Sequence, residues 1–312
     1  MRLGIDIMGG DYAPEQTTLG AIAAQKELPA DVTLVLIGDK DQILAIMARE
    51  GASPDSFELI HTTEVIGMGE HPTKAMTQKQ NSSISVGFGL LKAGKLDAFA
   101  SAGNTGAMFV GSIMLIKPIE GVLRPAIASK IPRPDGSVGV ILDVGANADC
   151  KPDFLVQFAM LGSIFLQNVF NISNPKVGLI NIGEEAEKGN ILSQTTYKLM
   201  SENPKINFIG NVEGRDMFNN KADVIVCDGF TGNIMLKEAE SFYSLLVERN
   251  ITDPYFESFN YENFGGTPIL GVNSNVIVAH GISNAKAIKN MIFLTKEITE
   301  AKLSEKIKLA FN

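Results

Sequence analysis

Asp223-Val-Ile-Val-Cys-Asp-Gly-Phe-Thr-Gly-Asn233 is a short apolar run that ends in a loop of aspartate, glycine and asparagine. The same pattern occurs in Leu142-Asp-Val-Gly-Ala-Asn-Ala-Asp149 and in Ser101-Ala-Gly-Asn-Thr-Gly-Ala107. Glycine allows the tight turn, and Asn, Asp or Thr at the head of a following helix satisfies backbone N–H groups that can also face an anion. Three such loops predict one composite, phosphate-binding site, although each alone is equally an ordinary strand-to-helix turn.

Outward from these loops, apolar runs alternate with helical patterns along nearly the whole chain. That alternation predicts a mostly parallel sheet covered by helices, with ligands at the carboxyl ends of the strands. Helices are predicted over 104–116, 187–202, 233–249, 283–294 and 296–310 among others. The stretch 117–138 breaks the rhythm. Pro118, Pro125, Pro132 and Pro134 mark it as a connection between two halves, with Ile127–Ile131 antiparallel or at an edge. Residues 251–264 form an aromatic, acidic segment closed by Gly265-Gly266, predicted to pack inside the protein or against a second copy.

Composition narrows the function classes. The chain has 312 residues, a net charge of −8 and 45% hydrophobic residues, which fits a globular enzyme and argues against nucleic acid as a partner. Cys150 and Cys227 lack a Cys-x-x-Cys partner, and His61, His71 and His280 lack ligand spacing, so no metal or disulfide is expected. No leader pattern and no long apolar run is present, which predicts a cytoplasmic protein. Gly87-Phe-Gly89 does not continue as a dinucleotide fingerprint, and no P-loop occurs. Gly281-Ile-Ser-Asn-Ala285 approximates a nucleophile elbow but fits a helix cap better.

Taken together, the segments resemble the bacterial phosphate acyltransferase (PlsX) family from end to end. The words that carry the resemblance include Ile5-Asp-Ile-Met-Gly-Gly-Asp-Tyr-Ala-Pro14, the three loops above and Gly178-Leu-Ile-Asn-Ile-Gly-Glu-Glu185 with Lys188-Gly-Asn190. Gly210-Asn-Val-Glu-Gly-Arg-Asp216, Gly265-Gly-Thr-Pro-Ile-Leu-Gly-Val-Asn273 and His280-Gly-Ile-Ser-Asn-Ala-Lys286 complete the order. The resemblance implies a single three-layer α/β/α sandwich over 1–312, related to phosphate acetyltransferases and isocitrate dehydrogenases. It implies a homodimer, with a small dimerisation tip near 243–266.

The implied reaction makes acyl phosphate from a long-chain acyl carrier protein thioester and inorganic phosphate, without a cofactor. A membrane glycerol-3-phosphate acyltransferase would then consume the product. Family members carry a basic, amphipathic tip linked to membrane attachment, whereas Asp253, Glu257 and Glu262 make this tip acidic and argue against such attachment.

The reaction needs two anionic reactants held together and donors aimed at a developing oxyanion. By position alone Lys188 is a solvated lysine offsetting Glu184, Glu185 and Glu187; the resemblance makes it the first candidate to hold phosphate. Asn233 can donate its amide to an oxyanion or phosphate, or else cap a helix. Asp228 belongs to the same loop. Asn104, Thr105 and Gly106 form a candidate second cradle with Asn147 facing them, and capping explains each equally. Asp11 is a candidate base or lysine-orienting group, or the acceptor of an Asx turn. Arg215 clamps phosphate or pairs with Glu213 or Asp216. Lys286 stands in a helix's first turn, against the dipole, which favours a ligand role. Lys74 and His71 are weaker candidates. Arg124, Lys130 and Arg133 are expected to dock the acidic carrier.

Three rival functions remain open on sequence: a phosphate acetyl- or butyryltransferase using coenzyme A, a decarboxylating NAD-dependent dehydrogenase, and a non-catalytic lipid-synthesis scaffold.

Overall fold

The computed structural model describes residues 1–311. In chain order its elements are β1 Arg2–Asp6, α1 Glu15–Gln25, β2 Thr33–Gly38, α2 Lys40–Arg49, β3 Glu58–His61, α3 Pro72–Gln78, α4 Ser83–Lys92, β4 Ala98–Ser101 and α5 Thr105–Gly111. There follow β5 Ala126–Pro132, β6 Val138–Leu142, α6 Pro152–Val169, β7 Val177–Ile180, α7 Ile191–Ser201, β8 Phe208–Val212, β9 Val224–Val226 and α8 Gly229–Glu248. The last are α9 Pro254–Glu257, α10 Tyr261–Phe264, β10 Thr267–Leu270, β11 Asn275–Val278, α11 Ala285–Glu300 and α12 Leu303–Phe311.

The chain forms two compact units, Met1–Pro118 with Tyr261–Ser304, and Ile119–Asn260 with Glu305–Asn312. The first crossing lies inside the proline-punctuated stretch predicted to connect two halves.

In the first unit the strands run β3-β2-β1-β4-β11-β10, all parallel except β10, which is antiparallel to β11. Leu3, Gly4 and Ile5 pair with Ala98, Phe99 and Ala100. Gly4 leaves room on one face for Leu96 and Phe99, and the Phe99 ring meets Phe88 of α4 edge-on at 5.2 Å. Helices α1 and α11 pack on each other, with Gly20 against Ile288.

In the second unit the order is β5-β6-β9-β7-β8, parallel except for β5 against β6. The predicted mostly parallel α/β arrangement is therefore the observed one, and β5 is antiparallel as one of the two alternatives expected. Helix α6 lies on this sheet, its Gly162 against Val224 and Leu142.

Several boundaries differ from the sequence expectation. Helix α8 begins at Gly229 rather than 233, because Asp228 caps it. Helix α7 begins at Ile191 rather than 187, behind the cap Asn190. Helix α11 runs unbroken through residue 295 to Glu300. The aromatic segment packs within the second unit as far as Phe259: Tyr255 and Phe218 each meet the Phe259 ring, at 5.3 and 4.9 Å. Among the described residues no helix is long and apolar enough to cross a membrane.

Candidate active site

Two of the three glycine loops pack on each other in the second unit. After β6, the buried Asp143 carboxylate accepts hydrogen bonds from the N–H groups of Ile127, Ala146 and Asn147 and from the Asn147 amide. Burial nonetheless pushes its pKa up, because desolvation outweighs those donors. The Asn147 amide also donates to Pro125, so it is committed to holding its own loop. The Asn147 carbonyl in turn accepts from Gly229 N–H at 2.7 Å, at the head of α8.

Asp228 caps α8 through Thr231: its carboxylate accepts from the Thr231 N–H at 2.8 Å and hydroxyl at 2.9 Å. That releases Asn233 from the capping role. Asn233 is exposed, and its amide makes no hydrogen bond among the described residues. It stands beside the bare backbone of Gly145, where an added Cβ would lie 3.6 Å from its Oδ1.

Beyond the ends of β7 and β9 opens a cleft of about 500 Å³ lined by Asn181, Ile182, Asn190, Cys227, Asp228 and Thr231, among others. The heads of α7 and α8 both border it. Lys188 adjoins this wall one residue before the lining Gly189. Its stem lies over Gly183, and its ammonium joins no ion pair among the described residues. Glu184, expected to offset it, pairs instead with Lys221 at 2.5 Å. Asn233 does not line the cleft. Two residues along a helix turn about 200°, so Asn233 and Thr231 point to opposite sides of α8. Arg215 is 72% exposed and paired with Glu213 at 2.9 Å, one of the two alternatives predicted.

In the first unit, Asn104 caps α5 through Ala107 N–H, and its amide donates to the carbonyls of Gly67, Met68 and Glu70. Both its donor hydrogens are therefore committed to tethering that loop. Thr105 is exposed at the helix head, and Gly106 lies against the Pro72 ring so closely that a Cβ would overlap it. This brings α3, with the exposed Lys74, onto α5. The Met68 side chain reaches Gly281, whose carbonyl accepts from Asp11 N–H at 2.7 Å. The Asp11 carboxylate is exposed and accepts no hydrogen bond among the described residues. Lys286 pairs with Glu262 at 3.4 Å. His71 precedes α3 without capping it.

Residues 1–306 match the family described as fatty acid synthesis protein. A phosphate acyltransferase of Dictyoglomus thermophilum is 44% identical over 326 residues, covering 98% of this chain and 96% of that protein. This chain belongs to the phosphate acyltransferase family. It is accordingly an enzyme, an acyltransferase of fatty acid and lipid synthesis. Its fold is shared with EutD phosphotransacetylase from Staphylococcus aureus, at TM-score 0.65, 17% identity and coverage of 96% of this chain and 94% of that one. A 4-hydroxythreonine-4-phosphate dehydrogenase from Klebsiella pneumoniae shares it at TM-score 0.56 and 14% identity, with 96% and 98% covered.

In this phosphate acyltransferase chain one expected docking residue is corrected. Arg133 is buried and bound to Asp223 at 2.6 Å and to the Ala222 carbonyl, so it braces the strands and is closed to a carrier. Arg124 is exposed, its guanidinium 5.8 Å from the Phe154 ring centre.

The residues that hold the Lys188 loop are not among the expected site residues, although Asn181 and Asn211 lie within segments that carry the family resemblance. Asn181 donates to the Lys188 carbonyl at 3.1 Å, Gln194 to those of Glu187 and Gly189, and Asn211 to that of Glu185 at 2.8 Å. Which carbonyls such amides reach is set by tertiary packing and is not encoded in local spacing. Asp143 was legible only as part of its loop. Neither thiol is favoured as a thiolate: burial and then the Asp143 charge push Cys150 up to about 12, and burial also raises Cys227.

Proposed function

We propose that this acyltransferase moves a long-chain acyl group from an acyl carrier protein thioester to inorganic phosphate, in the cleft beside Lys188. A phosphate oxygen attacks the carbonyl carbon, the C–S bond breaks, and the thiolate leaves and takes up a proton. The product, an acyl phosphate, passes to a membrane acyltransferase that uses glycerol 3-phosphate. The observation that carries this is Lys188, which joins no ion pair among the described residues and stands one residue before the lining Gly189 of a cleft bordered by the N-terminal ends of α7 and α8, where helix dipoles favour an anion. Family membership supplies the acyl transfer.

A second placement of the reacting carbonyl rests on Asn233. Its free amide beside the Gly145 backbone suits an oxyanion on the other side of α8. Asp11, Lys74, Thr105 and Lys286 remain proposed contacts for phosphate or carrier in the first unit. We further propose that the exposed apolar residues of α8, Phe230, Ile234 and Leu245, meet a second copy of the chain.

The test is acyl phosphate formation from inorganic phosphate and long-chain acyl carrier protein, run beside the matching acyl-CoA. Product from the carrier thioester supports the proposal. Product from CoA alone assigns the chain to coenzyme A-dependent transfer, and none from either defeats acyl transfer to phosphate. Loss of turnover in Asn233→Ala with folding intact selects the Gly145 placement, whereas full turnover selects the cleft.

A further inference from the structure

We propose that the acyl chain of the substrate lies in an apolar groove along α8, on the same face of the helix as the cleft beside Lys188. This rests on the cleft placement of the reaction proposed above.

The groove has a volume of about 420 Å³, within the range of about 300–1,000 Å³ usual for small-molecule pockets. Met217 and Phe218 form one wall, Met235, Phe242 and Leu246 of α8 another, and Phe259 stands beyond α9. Its ionisable side chains are Glu238, which is exposed, and Tyr243, whose hydroxyl donates to Glu257 at 3.2 Å. No lysine or arginine lines it. Such a wall offers nothing to phosphate or to an acidic carrier surface and suits a hydrocarbon.

The sequence of α8 gives the groove its direction. Asp228 and Thr231 line the cleft, and Met235, Ala239, Phe242 and Leu246 line the groove. These positions follow one another by three or four residues, so they form one stripe on one face of the helix. At 1.5 Å per residue the stripe extends roughly 20 Å beyond the cleft residues. An acyl thioester with its carbonyl in the cleft therefore has an apolar track leading away from Lys188. Phe256 and Phe259, packed on Tyr255, bound that track on the α9 side.

The experiment measures kcat/KM for acyl phosphate formation over a series of saturated acyl carrier protein thioesters of increasing chain length, in the full chain and in two groove variants. In the unaltered protein each methylene added inside the groove raises kcat/KM about fourfold, the equivalent of about 0.8 kcal/mol, until the groove is filled. Ala239→Trp shortens the track, and the ratio of long-chain to short-chain kcat/KM falls at least tenfold. Phe242→Ala lengthens or widens it, and the optimum moves to longer chains. A variant that merely weakens the fold lowers all chain lengths together and leaves the ratio unchanged. Acyl phosphate formation with no shift of the optimum in either variant overturns the groove while leaving the reaction intact. Absence of acyl phosphate at every chain length overturns the reaction and the groove with it.

Discussion

The carbonyl of Asn147 and the N–H of Gly229 are joined at 2.7 Å, so the loop after β6 is bolted to the first residue of α8. The bond fixes one loop's position from the other. Asp143 holds Asn147 through both backbone and side chain, and Asn147 holds the helix head that borders the cleft. A change deep in the first loop is therefore felt at the head of α8.

Gly232 is where that coupling is least tolerant. An added Cβ there would overlap the Asp143 carbonyl and stand 2.8 Å from the Cys227 sulfur. Gly232→Ala is expected to destabilise the protein by roughly 1–3 kcal/mol, the usual cost of forcing extra volume into a packed site. Urea unfolding checks it, and an unchanged midpoint would mean the two loops are not packed as described.

Lys188→Ala should raise the KM for phosphate by about 10- to 100-fold, as expected for losing one charge-assisted hydrogen bond of about 1.5–3 kcal/mol. Because the ammonium forms no ion pair, the thermal midpoint should hardly move. Lys188→Arg keeps the charge and should recover part of the loss. An unaltered phosphate KM in Lys188→Ala would remove this residue from the site.

Arg133→Ala leaves Asp223 without its buried partner, and Asp223 also accepts from the Lys176 N–H. Removing one member of a buried pair costs about 3–5 kcal/mol. The expected result is a large fall in the unfolding free energy, with carrier affinity unchanged in whatever protein remains folded. A selective loss of carrier affinity at full stability would restore the docking role.

These outcomes mirror what local sequence encodes. The glycine loops, the strands they end and most helices were legible because turn chemistry and apolar periodicity are local. The head of α8 was misplaced because Asp228 looked like loop, while Asn233, the residue expected to cap, is left free. Strand β10 escaped notice because Pro268 sits inside its four residues. Helix α3 escaped because it is short and opens on Pro72. Arg133 looked like a surface cation because Asp223 lies 90 residues away. The groove depends on Met217 and Phe218 meeting α8, a juxtaposition no spacing reveals.

Asp6 supplies a test in pH. It is fully buried at the end of β1 and accepts from the Ser101 hydroxyl at 2.6 Å and from Met8 N–H at 3.0 Å. Burial outweighs these donors and raises its pKa above the ordinary carboxylate value. A carboxyl whose folded pKa is raised binds its proton more tightly when native. Its stabilising contribution is complete below the unfolded value of about 3.9 and is lost as pH rises through the folded value. Asp6→Asn cannot titrate there. Measured by denaturant from acid to neutral pH, the stability advantage of the unaltered protein over Asp6→Asn should narrow as pH rises. A gap that widens over that range would mean Asp6 is stabilised as the anion, with its folded pKa depressed.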